Sequence, residues 1–482
     1  MKKPLAEIIP LILARSVAPT AAVASGLLSP PALGAPGDLD PSFGDVGRVT
    51  EALDFSGTAW SVQPLDGGGS IFAGGHESSF YSFDFSDEGF EGRLSDTGSL
   101  ESSFHSRNTE VRDLALQSDG KAVAVGRELS IGGSPATLTV LRLGTNGSLD
   151  STFGSKGLVR FPEGERAYSV TIDGDGRIVV AGRQDDGALM VLRLLDTGAL
   201  DTTFGTDGIF LGDSTDSVPT QILSAAGGGY RVGTSDCRVV ALTAQGTLDT
   251  SFGDSGIATL EPPSPGNLSC TSLVAQANGR LLLGGGFSPD NADPPNGFAV
   301  RLLTSGDPDA SFDATAVSSN MGYVTALAVD GSGSILVAGR AFDSVPAALV
   351  MRLQATGTLD GLFGNSGSSW IDLPDHNPLI HDMSVLSDGR ILVAGGTEAW
   401  SAFAQPFVAR LLGNTGGGPG VLGIAKTYVN AEEQSHEAVI PVRRMLAPTK
   451  YALLMTLRWE RVAPFGRPVV PLVNWMLMAS RQ

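Results

Sequence analysis

One short acidic segment carries the residue types of a calcium-binding loop. Asp173-Gly174-Asp175-Gly176 places two carboxylates two residues apart, as the first ligands of an EF-hand are placed. The bidentate Glu that completes such a loop would have to follow, whereas Glu163 and Glu165 precede the segment. Asp and Gly are also the usual residues of tight turns between strands. We therefore predict a turn at this position and no calcium site.

Two histidines near the end of the repeats have residue types that could bind zinc. His376 and His381 flank Asp375 and Asp382. A zinc site would need histidines at i and i+4 or further ligands from elsewhere in the chain. The spacing favours a polar loop.

Two more motifs match functional signatures letter by letter. Gly253-Asp254-Ser255-Gly256 is the string around the nucleophile of trypsin-like proteases, yet the equivalent place in another segment reads Gly154-Ser155-Lys156-Gly157, and none of the five histidines has a matching position. The glycine spacing of residues 418–423 satisfies a dinucleotide fingerprint, but no amphipathic helix follows it. We predict a structural turn at Ser255. The sequence assigns no catalytic, cofactor-binding or metal-binding residue and predicts no cofactor.

The elements that would position any site are short and separated by turns. The 482 residues include 63 Gly and 28 Pro, which long helices do not tolerate, so an all-helical protein is excluded. Hydrophobic residues make up 42% of the chain, which is enough to build a sizeable core. A chain of this length in one domain must be built from repeats.

A six-residue pattern, Leu-Asp-x-x-Phe-Gly, recurs about every 53 residues. In this pattern the Asp carboxylate can accept the N–H groups two and three residues on, Leu and Phe close over the turn, and Gly ends it. We interpret it as a capped corner that joins consecutive units. Its seven copies, of which the second and sixth are degenerate, have their aromatic residue at Phe43, Phe104, Phe153, Phe204, Phe252, Phe312 and Phe363.

Two further landmarks recur in the same phase. An Asp-Gly or Gly-Gly turn, such as Asp175-Gly176, leads into a strand that is apolar throughout, as expected for a strand covered on both faces. Asp-Gly suits a type I′ turn, whose two central residues both need positive φ. The third landmark is an Arg-Leu strand end, such as Arg142-Leu143, which the fourth unit replaces with Ala241-Leu242.

Four short strands in each of seven units fit an all-β fold, a seven-bladed β-propeller with short N- and C-terminal extensions. Ring closure is expected to pair the strand near residues 47–50 with the last unit around residues 407–410. An open β-solenoid is the alternative, but its repeat would be shorter and it would need capping units.

These repeated residues resemble the delta-60 repeat of large exported bacterial proteins. The resemblance covers about residues 37–412 and rests on Leu-Asp-x-x-Phe-Gly-x-x-Gly, on strands of the type Asp175-Gly176-Arg177-Ile178-Val179-Val180-Ala181-Gly182, and on the Arg-Leu strand. It implies a propeller-like domain beside other cell-surface modules. It implies no catalytic residues.

The chain changes character after the last repeat. Residues 413–423 are a Gly-rich linker by composition. Residues 424–444 resemble the first two strands of a Calx-β domain. Residues 445–482 contain no Asp, one Gly and four of the nine Met, and are therefore foreign to that family; a shifted reading frame or a short membrane-associated tail would explain them. Two strands cannot make a sandwich, so we expect residues 421–482 to be poorly ordered.

The first 36 residues have the order of a signal peptide. Lys2 and Lys3 precede an apolar run over residues 8–14, and small residues follow. The run is too short to span a bilayer, so no integral membrane span is expected. The chain has two cysteines, Cys237 and Cys270. We expect two buried free thiols, with a single bridge between them as the alternative.

Charge and motifs together limit the possible functions. The net charge is −19, and residues 37–442 alone carry −27, which repels nucleic acid and anionic membranes. We expect an exported, monomeric, non-enzymatic propeller that binds a protein or glycan at the cell surface or outside the cell. The alternative is a hydrolase, such as a lactonase or a polysaccharide-acting enzyme, with a metal in the central funnel. Non-repeat insertions at residues 77–91, 262–271 and 287–296 would lie near such a site.

Overall fold

Seven antiparallel blades make up the unit Ala35–Gly418 and form a β-propeller, as a computed structural model describes, and one parallel bridge between Glu88 and Thr109 joins the first two blades. The all-β fold and the seven blades predicted from the repeat are confirmed. The structure describes residues 34–50, 57–75, 88–107, 109–128, 136–212, 218–225, 227–289, 295–341, 348–373, 377–398, 405–413, 422–423, 437–444, 452–458 and 472–478.

Each blade is a meander that runs from an inner strand to an outer strand. Blade 1 comprises β2 (Thr58–Pro64), β3 (Ser70–Gly75), β4 (Glu88–Leu94) and β5 (Leu100–Arg107). Blade 2 comprises β6 (Thr109–Leu116), β7 (Ala122–Glu128), β8 (Thr137–Leu143) and β9 (Leu158–Phe161). Blade 3 comprises β10 (Gly164–Ile172), β11 (Ile178–Gln184), β12 (Leu189–Leu194) and β13 (Ile209–Leu211). Blade 4 comprises β14 (Pro219–Ser224), β15 (Tyr230–Thr234), β16 (Arg238–Leu242) and β17 (Ile257–Thr259).

The remaining blades follow the same order, with one exception. Blade 5 comprises β18 (Gly266–Ala275), β19 (Leu281–Pro289) and β20 (Asn296–Leu302), and is followed by the short helix α1 (Thr315–Asn320). Blade 6 comprises β21 (Met321–Val329), β22 (Ile335–Ala341), β23 (Ala348–Leu353) and β24 (Ser368–Ile371). Blade 7 comprises β25 (Asn377–Val385), β26 (Ile391–Glu398), β27 (Pro406–Leu411) and, from the other end of the chain, β1 (Arg48–Val49).

The ring closes by pairing the two ends of the propeller sequence. Arg48 pairs with Ala409 and Val49 with Val408, so the first strand of the chain is the outer strand of blade 7. This is the closure predicted from the sequence. It also means that the sequence repeat is offset from the blade by one strand.

The hydrophobic core lies between neighbouring blades. β3 is buried along its whole length and β22 at all but one position, because both faces of these strands pack against adjacent sheets. One cluster combines Val350 and Phe363 of blade 6 with Val393 and Phe407 of blade 7. The prediction that the second strand of each unit is covered on both faces is confirmed.

The turn between the first and second strands is not of the predicted type. Gly120 and Gly176 have positive φ of 81° and 79°, but the preceding Asp119 and Asp175 do not lie in the left-handed region. The Gly120 N–H donates to the Gln117 carbonyl at 2.9 Å. This is a type I turn followed by a left-handed glycine, so the type I′ prediction was wrong. The loop is one residue longer than the two-residue loop of a type I′ hairpin, and its glycine is the residue that takes positive φ.

The corner motif lies between the third and fourth strands of a single blade. In blade 2, Asp150 Oδ1 accepts the Thr152 N–H at 3.0 Å, as predicted. The Phe153 N–H three residues on donates instead to the main-chain carbonyl of Asp150 at 3.0 Å. Along the chain the corner therefore connects two strands of one blade and not two consecutive blades, although the Gly154 N–H donates to the Thr197 carbonyl of blade 3 at 2.9 Å.

A buried arginine from the third strand fastens the corner to the next blade. Arg142 Nε donates to Asp150 Oδ2 at 2.9 Å, and its Cζ lies 4.7 Å from the centroid of the Phe153 ring. Its Nη1 donates to the Asp196 carbonyl of blade 3 at 2.6 Å. Charge pairing and full hydrogen bonding make this burial tolerable, which explains the recurrent Arg-Leu strand end. The same contacts are made by Arg193, Arg301 and Arg410.

Blade 4 replaces the missing arginine from another strand. Ala241 stands at the arginine position, and Arg231 of β15 donates to Asp249 Oδ2 at 3.0 Å instead. Its Cζ lies 4.8 Å from the centroid of the Phe252 ring. The guanidinium is thus conserved in space although it is displaced in sequence.

The two degenerate corners depart from the pattern for one reason. In the five complete copies the closing Gly has positive φ, for example 51° at Gly154. His105 and Asp313 replace that Gly and do not adopt the left-handed conformation. Residues 100–107 consequently continue as a strand in blade 1, and α1 forms after the corner of blade 5. The prediction of four strands in every unit was therefore wrong for blade 5.

Blade 1 has a buried carboxylate, Glu91, that is only partly hydrogen-bonded among the described residues. Glu91 is 1% exposed and accepts from Arg93 Nε at 3.2 Å. Its Oε2 has no hydrogen-bond partner among the described residues. Burial, partly offset by Arg93, raises the pKa of Glu91 to about 7.

We expect Glu91→Gln to stabilise the protein at pH 8 but not at pH 4.5. A carboxyl whose pKa is raised by folding contributes stability below its unfolded value, and that stability is lost as the pH rises through about 7. The difference in the free energy of unfolding corresponds to about 3 kcal/mol. Urea unfolding across this pH range would measure it. Glu101→Gln, at an exposed position of β5, is the control and should leave the pH dependence of the unfolding free energy unchanged. If the unfolding free energies of Glu91→Gln and of the unmodified chain change with pH in parallel, the expectation is wrong.

The two cysteines form a disulfide. Cys237 lies in the turn before β16 of blade 4, Cys270 lies on β18 of blade 5, and their Cα atoms are 4.9 Å apart. The expectation of two free thiols was therefore wrong. The residues are 33 apart in sequence but meet where two neighbouring blades face each other.

The C-terminal segments belong to a second unit, which comprises Met1–Gly34 and Pro419–Gln482. Its described strands form one antiparallel sheet. They are β28 (Leu422–Gly423), β29 (Glu437–Arg444), β30 (Ala452–Arg458) and β31 (Leu472–Met478). These strands lie in the stretch that we expected to be poorly ordered. Among the described residues, no helix is long and apolar enough to cross a membrane.

Candidate functional site

Every inner strand carries one extra residue at the same position. The pairing of each inner strand with its neighbour shifts register there, as between Ala59 and Ser61 in blade 1. Such a bulge turns a side chain away from the sheet. The seven bulge residues are Trp60, Arg112, Tyr168, Thr220, Thr271, Thr325 and His381.

The bulge residues and those that follow them line one cavity. Because all seven inner strands contribute, this is the axial cavity of the propeller. Its volume is about 80 Å³, enough for a few water molecules or one small polar group. We call the end toward the first residues of the inner strands its upper end.

The residue after each bulge bonds one blade to the next. Ser169 Oγ accepts the Ile222 N–H of blade 4 at 3.2 Å, and Ser272 Oγ accepts the Leu327 N–H of blade 6 at 3.0 Å. Asp113, Gln221 and Asp382 accept in the same way across their own blade boundaries. Blade 6 has Ala326 at this position, and an alanine side chain cannot accept a hydrogen bond. These polar side chains therefore hold the inner strands together around the axis.

Asp113 is saturated with donors. It accepts the Ser61 and Ser169 hydroxyls at 2.9 and 2.8 Å, and the N–H groups of Leu114 and Val170 at 2.8 and 2.9 Å. Burial raises the pKa of this carboxyl, although these bonds oppose the shift. Four donors leave little capacity for a metal ion.

Asp382 occupies the equivalent position of blade 7. Its two oxygens accept the N–H groups of Val62 and Met383, each at 2.8 Å. Burial, with a contribution from the charge of Asp113, raises its pKa to about 6. This carboxylate therefore bonds blade 7 to blade 1.

The cavity has one bulky side and one small side. The centroids of the Trp60 and His381 rings are 4.2 Å apart, and the Arg112 guanidinium lies 4.2 Å from the Trp60 centroid. Tyr168 continues this side into blade 3, whereas blades 4 to 6 contribute threonines. Burial, together with the charge of Arg112, lowers the pKa of His381 to about 3, so the imidazole is neutral at physiological pH.

An arginine cluster adjoins the upper end of the cavity. Glu110 is 1% exposed and lies among three guanidinium groups. Its Oε2 is 2.8 Å from Arg127 Nε and 3.1 Å from an Arg166 terminal nitrogen, and its Oε1 contacts Arg112 Nε. We call Glu110, Arg112, Arg127 and Arg166 the arginine cluster.

The predicted turns lie where the sequence placed them. Asp173 Oδ1 accepts the N–H groups of Asp175 and Arg177 at 3.0 and 2.9 Å, and its Oδ2 accepts the Tyr230 hydroxyl at 2.8 Å. Ser255 has φ of 54° in the turn after the blade 4 corner, and its hydroxyl donates to Asp254 at 3.1 Å. Both segments are structural turns.

The prediction of a polar loop was wrong for His381 and Asp382, because both lie on the inner strand β25. His376 and residues 418–421 of the dinucleotide-like motif lie outside the described residues, as does most of the insertion at 77–91. The insertions at 262–271 and 287–296 pair with each other and lengthen β18 and β19, with Gly266 opposite Pro289. In the part of the chain that the structure describes, no group of three Asp, Glu, His or Cys side chains could hold a metal ion.

Sequence reasoning missed the cavity-lining positions. The bulge residue lies seven positions before the Asp, or its substitute, of the first turn in every blade; Arg112 precedes Asp119 and His381 precedes Asp388. This fixed spacing was the available signal. The residue types differ from blade to blade, so no motif marks them.

Four of the repeats match a known family model, described as "Domain of unknown function (DUF5122) beta-propeller". The matched residues are 117–153, 174–204, 276–312 and 331–363. The chain is a β-propeller repeat protein. No curated protein matches it.

Solved structures of similar shape include two proteins of unknown function. The one from Bacteroides caccae is 13% identical, with 62% of this propeller chain and 99% of that chain covered and a TM-score of 0.38. The one from Dyadobacter fermentans is 11% identical, with 77% and 100% covered and a TM-score of 0.41. The structure of YCF48 bound to D1 peptide is 12% identical, with 80% and 99% covered and a TM-score of 0.44.

Proposed function

We propose that this propeller is an exported, non-enzymatic binding or scaffold module, and that it binds a protein or glycan ligand at the upper end of its axial cavity. The observation that carries the proposal is the uneven lining of that cavity, where Trp60, Arg112, Tyr168 and His381 stand opposite three threonines. Binding sites combine aromatic surface with a few placed polar groups in this way. The delta-60 likeness of the repeats agrees with a module of a large exported protein.

Two features support a non-enzymatic function and a location outside the cytoplasm. Asp113 and Asp382, the carboxylates that line the cavity, are already occupied by main-chain N–H groups, which opposes the alternative of a hydrolase with a metal in the funnel. The disulfide between Cys237 and Cys270 is the kind of bond that persists in oxidising compartments.

An array of immobilised glycans and proteins tests the proposal. The full chain should bind a defined ligand, and Tyr168→Ala should weaken that binding at least 10-fold, as truncation of an aromatic contact residue does. Trp370→Ala is the matched control, because Trp370 is a 45% exposed aromatic residue on the outer strand β24, away from the axial cavity. An array on which the chain binds nothing, or equal binding by both variants, would contradict the proposal.

A further inference from the structure

In the arginine cluster, three guanidinium groups meet at one carboxylate. Arg112, Arg127 and Arg166 share the single carboxylate of Glu110. The nearby Glu128 and Glu165 interact with Arg160 and Arg183 instead. At the corners, one buried arginine faces one carboxylate, as Arg193 faces Asp201 at 2.8 Å and Arg93 faces Glu91 at 3.2 Å. The cluster is therefore an exception within an acidic chain.

Two buried donors beside the cavity have no acceptor among the residues that the structure describes. Arg166 is 9% exposed, and its Nε has no hydrogen-bond partner among the described residues. Its Cζ lies 5.7 Å from the centroid of the Tyr168 ring, which lines the cavity. Trp60 Nε1 is also buried and has no partner among the same residues. Buried donors of this kind are normally satisfied, so their position indicates a ligand that accepts hydrogen bonds.

The two carboxylates that line the cavity lie further along the inner strands than the bulge residues, and so away from the upper end. Asp113 and Asp382 follow the bulge residues and accept main-chain N–H groups. Glu110 and Arg166 precede the bulge residues by two positions, toward the upper end. His381 is neutral because of its lowered pKa. The upper end thus offers donors and positive charge, while the carboxylates are committed below it.

We infer that the upper end of the axial cavity binds an oxyanion, the carboxylate or phosphate end group of an acidic ligand. This inference rests on the proposed binding function and names the chemistry of the ligand. Arg112 would bind the group from the cavity wall, and the free Nε–H of Arg166 would donate to it beside Tyr168. Planar guanidinium groups suit both oxyanions. The volume of about 80 Å³ admits one such group, which can be the end of a larger ligand.

Isothermal titration of the full chain with glucuronate, inorganic phosphate and neutral glucose tests the inference. Glucuronate or phosphate should bind and glucose should not; the preferred anion identifies the source of the end group. Arg166→Gln should weaken binding about 10- to 100-fold, the effect of losing a hydrogen bond to a charged group. Glu110 keeps Arg112 and Arg127 in this variant, so the fold should be retained, and circular dichroism would verify it.

Arg160→Gln is the matched control, since it removes one charge from β9, where the side chain is 45% exposed and pairs with Glu128. It should bind the anion as the unmodified chain does. Failure of both anions to bind, or equal weakening by Arg160→Gln, would overturn the inference. An array ligand that requires Tyr168 but is indifferent to Arg166→Gln would overturn it while leaving the proposed function intact.

Discussion

Replacing Asp40 with alanine is expected to lower the free energy of unfolding by about 3 kcal/mol, because it removes the Nε partner of a fully buried guanidinium and leaves the half-exposed Asp96 carboxylate, at 2.8 Å, as its counter-charge. Arg410 is 0% exposed, and its Nε donates to Asp40 Oδ2 at 2.8 Å. The same arginine donates to the Asp96 carbonyl of blade 1 at 2.6 Å. This pair therefore connects the N-terminal closing segment, blade 7 and blade 1 at the point where the ring is sealed.

Asp249→Ala provides the matched control for this substitution. Asp249 has the same corner position in blade 4, but its pair with Arg231 has side-chain exposures of 25% and 16% and lies within a continuous part of the chain. Its loss should cost about 1 kcal/mol or less. Guanidinium-induced unfolding of both variants would measure the difference. Equal costs would contradict a special role for the closing corner.

The Asp40 effect should also depend on pH. Burial acts to raise the pKa of this carboxyl, but hydrogen bonds from Ser42 and the charge of Arg410 outweigh burial, and the pKa is lowered overall. A carboxylate of this kind stabilises the fold above its unfolded pKa of about 3.8, and the stabilisation disappears as the pH falls through the folded value. The difference in unfolding free energy between the unmodified chain and Asp40→Ala should therefore become smaller at acidic pH.

The architecture could be predicted because the corner is a local structure that recurs. Asp150, Phe153 and Gly154 shape one turn from contacts within a few residues, and seven such segments at a regular interval require a repeated sheet. Ring closure could be predicted because the strand after a corner is the outer strand of a blade. The strand after the first corner pairs in this way with β27 of blade 7.

The exceptions could be anticipated only in part. His105 and Asp313 were recognisable as substitutes for the closing glycine. What replaced the turn depended on context, since one segment became β5 and the other was followed by α1. The shift of the blade 4 guanidinium from position 241 to Arg231 could not be read from the sequence, because the two positions meet only across paired strands, where Arg231 faces Ala241.

The candidate site was hidden for a different reason. A bulge is a property of strand pairing, and the side chain it exposes varies from Trp60 to Thr325. The arginine cluster unites residues of β6, β7 and β10, which belong to two blades. Such clusters form only when the ring brings the first and second strands of neighbouring blades together. The amino-acid sequence of one repeat does not show which residues will meet in this way.

The disulfide belongs to the same class of long-range contact, and its removal is the second large effect that we expect. Cys237→Ser with Cys270→Ser should lower the free energy of unfolding by about 3–4 kcal/mol, the loop-closure entropy of a 33-residue separation. Both cysteines are at most 2% exposed, so a reductant should act slowly on the native chain and readily after partial unfolding.

Denaturation of the unmodified chain with and without dithiothreitol, beside the double variant, would measure this contribution. Reduction should lower the unfolding midpoint of the unmodified chain to that of the variant and leave the variant unchanged. If the unmodified chain has the same midpoint with and without reductant, the bond contributes nothing to stability. A large loss would mean that reduction deprives blades 4 and 5 of their cross-link, so that the full stability of the fold requires an oxidising compartment.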